Sequence, residues 1–117
     1  MLIRAIGHAG VAIHAADQHI LCDPWWNGPA YSGQWQQWPP PQVEPADCDG
    51  AQWVYISHGH EDHLHVPTLR SLCKDATLVI PRFRDRGMRD CLGALGFRRI
   101  LEIGHAERRL LAPGLAA

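Results

Sequence analysis

A chain of 117 residues, 46% hydrophobic and with a formal net charge of -1, has room for one small domain, taken here as 1–117, with a modest core. No long run of like charge is present, so a nucleic-acid or membrane surface built on charge is not expected. The N-terminal stretch is apolar only until Gly7 and His8 interrupt it, and reads as neither a signal peptide nor a spanning helix. Cys22, Cys48, Cys73 and Cys91 are widely spaced and form no C-x-x-C pair. They read as free or buried thiols in a cytoplasmic protein.

In chain order, Leu2 to Ile6, Val11 to His14 and His19 to Cys22 are short β-prone runs separated by the turns Gly7-His8-Ala9-Gly10 and Ala15-Ala16-Asp17-Gln18. They predict an antiparallel meander that stops at Asp23-Pro24, where proline forbids a further ladder bond. Pro24 to about Gly50 shows no regular periodicity and holds four of the five tryptophans. A loop this long is either a binding loop, with Trp25, Trp26, Tyr31 and Trp35 facing a substrate, or an aromatic cover packed on the core. Trp53 to Ile56 reads as a buried strand. A helix follows from Val66, with Pro67 in its first turn and Val66, Leu69, Leu72 and Cys73 on one face. Thr77 to Ile80 predicts a strand closed by Pro81. Met88, Cys91, Leu92 and Leu95 then have helical spacing up to a Gly96 cap, and Arg99 to Ile103 is the next strand. This alternation predicts crossovers covering one sheet face. Arg108 to Ala117 reads as a strand, a Pro-Gly turn and the start of a partner strand. A hairpin cut there leaves an unpaired edge, so the chain is expected to be incomplete relative to its fold.

Between the strand ending at Ile56 and the helix from Val66 lies Ser57-His58-Gly59-His60-Glu61-Asp62-His63-Leu64-His65, four imidazoles and two carboxylates within nine residues. A loop leaving the end of a strand is where open α/β folds place their chemistry. Histidine with carboxylate is a ligand set for zinc, iron and manganese. His58 and His60, two apart in an extended loop, can turn both rings to one side, and Gly59 between them removes a crowding side chain. Asp62 and His63 are adjacent and are expected to face different ways, serving a second ion or supporting the first ligands, which suits a two-metal centre. His65 is a spare ligand or the residue that opens the helix. His8, His14, His19 and His105 read as surface or core residues.

The segment His58-Gly59-His60-Glu61-Asp62-His63 has the pattern H-x-H-x-D-H and resembles the signature of the metallo-β-lactamase superfamily. The likeness continues through Gly7-His8-Ala9-Gly10, Asp23-Pro24-Trp25 and Tyr55-Ile56-Ser57. The loop with Gly28-Pro29-Ala30 and Trp35 is similar to the branch that contains CMP-N-acetylneuraminate hydroxylase, N-acylphosphatidylethanolamine phospholipase D and the ascorbate-phosphate lactonases. The resemblance implies an α/β (α+β) fold, the αββα sandwich, of which this chain would supply the first half: a mixed sheet with helices on one face. It implies that His58 and His60 bind one metal and Asp62 and His63 a second, with two Zn2+ ions in the complete fold and Fe or Mn as the alternative. It places Asp23 behind a ligand histidine and gives Asp62 a catalytic part, orienting a nucleophile or accepting its proton. The implied activity is hydrolysis of a small-molecule ester, lactone or phosphodiester.

In such a fold the second half supplies another histidine, a bridging aspartate and a final histidine. The chain ends before those positions and His105 comes too early, so weak metal binding and little activity are expected of it alone. Two alternatives stand beside the hydrolase. One is an iron-dependent hydroxylase acting on a nucleotide sugar, against which no C-x-H pattern is present. The other is an inactive half-domain that works only as a homo-oligomer or by pairing with a missing C-terminal half.

Overall fold

The alternation of apolar residues over the first 22 positions becomes three antiparallel strands, β1 (Leu2–Gly7), β2 (Gly10–Ala15) and β3 (Gln18–Cys22), the meander expected of it. The structure, a computed structural model, describes residues 1–116. Ala16 and Asp17, with φ of 48° and 62°, form a two-residue turn whose left-handed backbone suits the twist of a hairpin. Three further strands, β4 (Trp53–Tyr55), β5 (Thr77–Pro81) and β6 (Arg99–Ile103), run parallel to β3 and complete a six-stranded mixed sheet in the order β1-β2-β3-β4-β5-β6.

Register decides which side chains share a face. Arg4, Ala12, Leu21, Val54, Leu78 and Ile100 form one row across all six strands. Ala12, Leu21, Val54 and Leu78 are fully buried there. The helices α2 (Val66–Ser71) and α3 (Gly87–Ala94) send Leu69 and Leu92 into the same core. Burying each such leucine contributes about 1.5–3 kcal/mol. The neighbouring row, Val11, Cys22, Tyr55, Val79 and Leu101, lies on the opposite face and is mostly half-buried.

Two expectations about the helices are corrected. Cys73 lies beyond α2, whose last turn ends at Ser71 with Leu72 already extended, and Cys91 is exposed although it has helical spacing. The core-facing residues of α3 and its end are Leu92, Met88 and Leu95. A short helix in the unpatterned region, α1 (Pro45–Asp49), has no apolar stripe to announce it. Pro45 opens it, and the Asp47 carboxylate accepts the Glu44 N–H at 2.8 Å. The C-terminal strands β7 (Leu110–Ala112) and β8 (Leu115–Ala116) pair as the predicted hairpin, with Gly114 at φ 76° in the turn. Among the described residues no helix is long and apolar enough to cross a membrane.

Candidate metal centre

The motif loop leaves β4 beside the end of β3, and Asp23 joins the two. Its N–H donates to the Tyr55 carbonyl at 2.9 Å, and its φ of 42° is a left-handed geometry that aspartate tolerates better than most residues. The buried carboxylate then serves the loop. Its Oδ1 accepts the Ser57 N–H at 2.7 Å, and its Oδ2 accepts the Ser57 hydroxyl at 2.6 Å and lies 2.8 Å from His63 Nδ1. A carboxylate at Nδ1 fixes the proton on that nitrogen and leaves Nε2 of His63 as a lone-pair donor. Since Ser57 donates its one hydroxyl proton to Asp23, it accepts from His58 Nδ1 at 2.8 Å, which frees His58 Nε2 in the same way.

The freed atoms face other ligand atoms. His58 Nε2 lies 2.9 Å from His60 Nδ1, and His63 Nε2 lies 3.5 Å from Asp62 Oδ2. The His58 and His63 rings are 4.1 Å apart, so the two pairs adjoin. Asp62 and His63, expected to diverge because they are adjacent in sequence, converge instead: the turn closed by His63 N–H and Leu64 N–H on the His60 carbonyl bends the loop between them.

The Asp62 carboxylate is engaged at both oxygens. The Tyr31 hydroxyl donates to Oδ1 at 2.6 Å and His8 Nε2 lies 2.7 Å from Oδ2. Burial works to raise the Asp62 pKa, but the bonds from Tyr31 and His8 outweigh it and bring it down to about 2. The same bond pushes the Tyr31 hydroxyl up from its ordinary value. His8, read from the sequence as a surface or core residue, therefore belongs to the centre: with Asp62 and His63 it offers three ligand atoms within 4.8 Å of one another. The Gly7-His8-Ala9-Gly10 turn was the available signal, but only the β1–β2 pairing carries it to Asp62.

The aromatic loop divides. Trp25, expected among the substrate-facing residues, is only 2% exposed, with Nε1 donating to the Gly28 carbonyl at 2.8 Å and its ring edge-on to His8. Trp26 packs on the core, and its N–H and that of Asn27 both donate to Thr68 Oγ1. Trp25 is therefore buried, whereas Trp26, half-buried, also lines a cavity of about 460 Å³ with Gln36, Gln37 and Trp38. Tyr31 stays at the centre, and Trp35, half exposed, stands edge-on to Tyr31 and His8. His65 opens α2, accepting the Thr68 N–H, and its Nε2 lies 3.0 Å from the Pro29 carbonyl. His105 is exposed and outside the group. Beside His58 and His60 opens a cavity of about 490 Å³ with an apolar wall of Leu64, Phe83 and Met88.

The donor set fits a metal. A tetrahedral ion with bonds of about 2.0–2.1 Å holds its ligand atoms about 3.3 Å apart, close to the 2.9 and 3.5 Å found between the facing pairs.

Residues 2–109 match the model of the β-lactamase superfamily domain. A Mycobacterium tuberculosis protein provisionally named a Rieske 2Fe-2S iron-sulfur protein is 37% identical over 123 residues, which cover 97% of this chain and 22% of that protein. Cytidine monophosphate-N-acetylneuraminic acid hydroxylase of Danio rerio is 41% identical over 70 residues, 59% of this chain and 12% of the hydroxylase. The chain thus spans about a fifth or less of the curated relatives it matches. Isothiocyanate hydrolase from Delia radicum gut bacteria shares the fold, with a TM-score of 0.69 at 19% identity over 97% of this chain and 45% of that one.

Proposed function

The chain belongs to the metallo-β-lactamase superfamily, and from that premise we propose that it forms the ligand loop of a metal-dependent hydrolase acting on an ester, lactone or phosphodiester. His58 and His60 hold one ion and Asp62 and His63 another, zinc in the first instance, with iron or manganese as the alternative. The observation that carries this reading is the pairing of ligand atoms: His58 Nε2 faces His60 Nδ1, and His63 Nε2 faces Asp62 Oδ2. Such an ion lowers the pKa of coordinated water toward neutrality and so supplies a nucleophile.

The chain's own residues prepare that chemistry. Asp23 and Ser57 hold His63 and His58 with their Nδ1 protons turned inward and their Nε2 atoms free. Asp62, ionised at any neutral pH, serves as ligand and as proton acceptor, and Tyr31 and His8 fix its rotamer. The apolar wall formed by Leu64, Phe83 and Met88 takes the non-reacting part of the substrate.

The test is a panel of carboxylic esters, lactones and phosphodiesters offered to the metal-reconstituted protein, with Asp62→Asn as the control. Hydrolysis lost in the variant supports the reading. Absence of hydrolysis together with metal-dependent oxygen consumption would move the protein to a second reading, an iron-dependent hydroxylase, which the 41% identity to the Danio rerio enzyme favours. A third reading draws on the half-buried apolar row Val11, Cys22, Tyr55 and Leu101. Such a face asks for a second layer, so the domain works when a further sheet or a second copy covers it. A monomer in sedimentation that unfolds cooperatively counts against this third reading.

A further inference from the structure

A second group of ligand-type side chains lies at the other end of the sheet. His14 and His19 are direct partners across β2 and β3, beside the Ala16-Asp17 turn, whereas the motif loop adjoins the end of β3 past Cys22. Their rings stack with centroids 4.1 Å apart and planes 20° from parallel. Asp47 of α1 reaches the pair, and the three residues offer ligand atoms within 4.8 Å of one another.

The bonding of Asp47 is lopsided. Its Oδ2 accepts from Arg4 and from the Glu44 N–H. Its Oδ1 lies 3.2 Å from His19 Nε2, off the line of a good hydrogen bond, and neither atom has another partner among the described residues. Asp47 is fully buried and His19 is 6% exposed, so bulk solvent does not reach these atoms. Buried polar atoms left without partners are rare and costly. Their separation is close to the spacing, about 3.3 Å, of two ligand atoms on one tetrahedral zinc-type ion.

Protonation agrees with that geometry. Burial and the neighbouring His14 hold the His19 pKa below its ordinary value, which favours the neutral imidazole a metal requires. Burial works to raise the Asp47 pKa, but Arg4 and the Glu44 N–H outweigh it and keep the carboxylate ionised. Arg4, on the far oxygen, orients the carboxylate as outer partners of metal ligands do.

We propose that His14, His19 and Oδ1 of Asp47 form a second divalent-metal site, of the zinc class, that ties the β2–β3 hairpin to α1. Three protein ligands leave one position open. A cavity of about 490 Å³, lined in part by His14, Gln18, Ala46 and Gln52, adjoins the three residues.

The test removes the motif first. A triple variant, His58→Ala with His60→Ala and His63→Ala, is titrated with Zn2+ and compared with the same protein carrying His14→Phe, which keeps an aromatic stack on His19 and deletes the ligand nitrogen. The expected result is one Zn2+ per chain in the triple variant, with a higher Tm in zinc, and an affinity at least about tenfold lower once His14 is replaced. No zinc bound by the folded triple variant, or binding undiminished by His14→Phe, overturns the proposal. Should the triple variant not fold, Zn2+ is titrated into the unmodified chain and the histidine ring signals are followed by NMR. Perturbed His14 and His19 signals support the site, and unperturbed ones overturn it.

Discussion

His8 Nε2 lies 2.7 Å from Asp62 Oδ2, although 54 positions separate the two residues. The β1–β2 turn thereby reaches the motif loop and completes a centre that the local sequence defines only in part. Tyr31 approaches the other oxygen of the same carboxylate from the aromatic loop. Asp62 is thus positioned by two segments distant from its own.

If these donors position a metal ligand, their loss is read in metal affinity. His8→Ala and Tyr31→Phe are each expected to weaken zinc binding at the motif about 10–100-fold, in the range found for partners of metal ligands. Competition against a chromophoric chelator measures this. Unchanged affinity in both variants would remove His8 and Tyr31 from the centre.

Asp23 links β3, Ser57 and His63 through three bonds. Asp23→Asn puts an N–H where Ser57 or His63 now donates, and leaves a buried donor unpaired. A stability loss of about 1–3 kcal/mol in urea unfolding is expected, with weaker metal binding. Equal stability and equal metal binding would show that the contact is incidental.

The core depends on the row that runs from Ala12 to Leu78. Leu78 is fully buried between β4 and β6, beneath the helices. Leu78→Ala is expected to cost about 2–5 kcal/mol, measured as a lower urea midpoint with an unchanged slope. A loss under 1 kcal/mol would place Leu78 outside the core.

Thiol reactivity follows environment. Burial pushes the Cys22 pKa up to about 11, with Asp23 adding to it, whereas Cys73 and Cys91 are exposed. A raised pKa keeps Cys22 protonated at neutral pH, and the thiolate is the reactive form. Iodoacetamide at pH 7.5 should therefore modify Cys73 and Cys91 first, and Cys22 should respond only as the pH approaches its raised pKa. Mass spectrometry of timed digests reads the order, and Cys22 modified as fast as Cys73 contradicts it.

Much of this was legible in the sequence, for identifiable reasons. Leu2 to Ile6, Thr77 to Ile80 and Arg99 to Ile103 are bounded apolar runs, and they became β1, β5 and β6. Helix α1 was not legible, because five residues without an apolar stripe carry no periodicity. Cys91 fitted the helical spacing, which locates a stripe but not its edges, and it proved exposed. His58, His60, Asp62 and His63 stood out because they lie within one short loop. His8 and Tyr31 did not, since strand pairing and loop return bring them to Asp62. Trp25 carried the same aromatic signal as Trp35, and only the structure separates the buried ring from the half-exposed one.

The central claim, that His58 and His60 hold a metal ion, is tested most directly by metal content. Protein dialysed to equilibrium against buffer that contains zinc, with bound zinc taken as the excess over the free ion, is compared with the variant carrying His58→Ala and His60→Ala. The variant is predicted to hold at least one zinc ion fewer per chain. Equal stoichiometry in the two proteins would contradict the assignment.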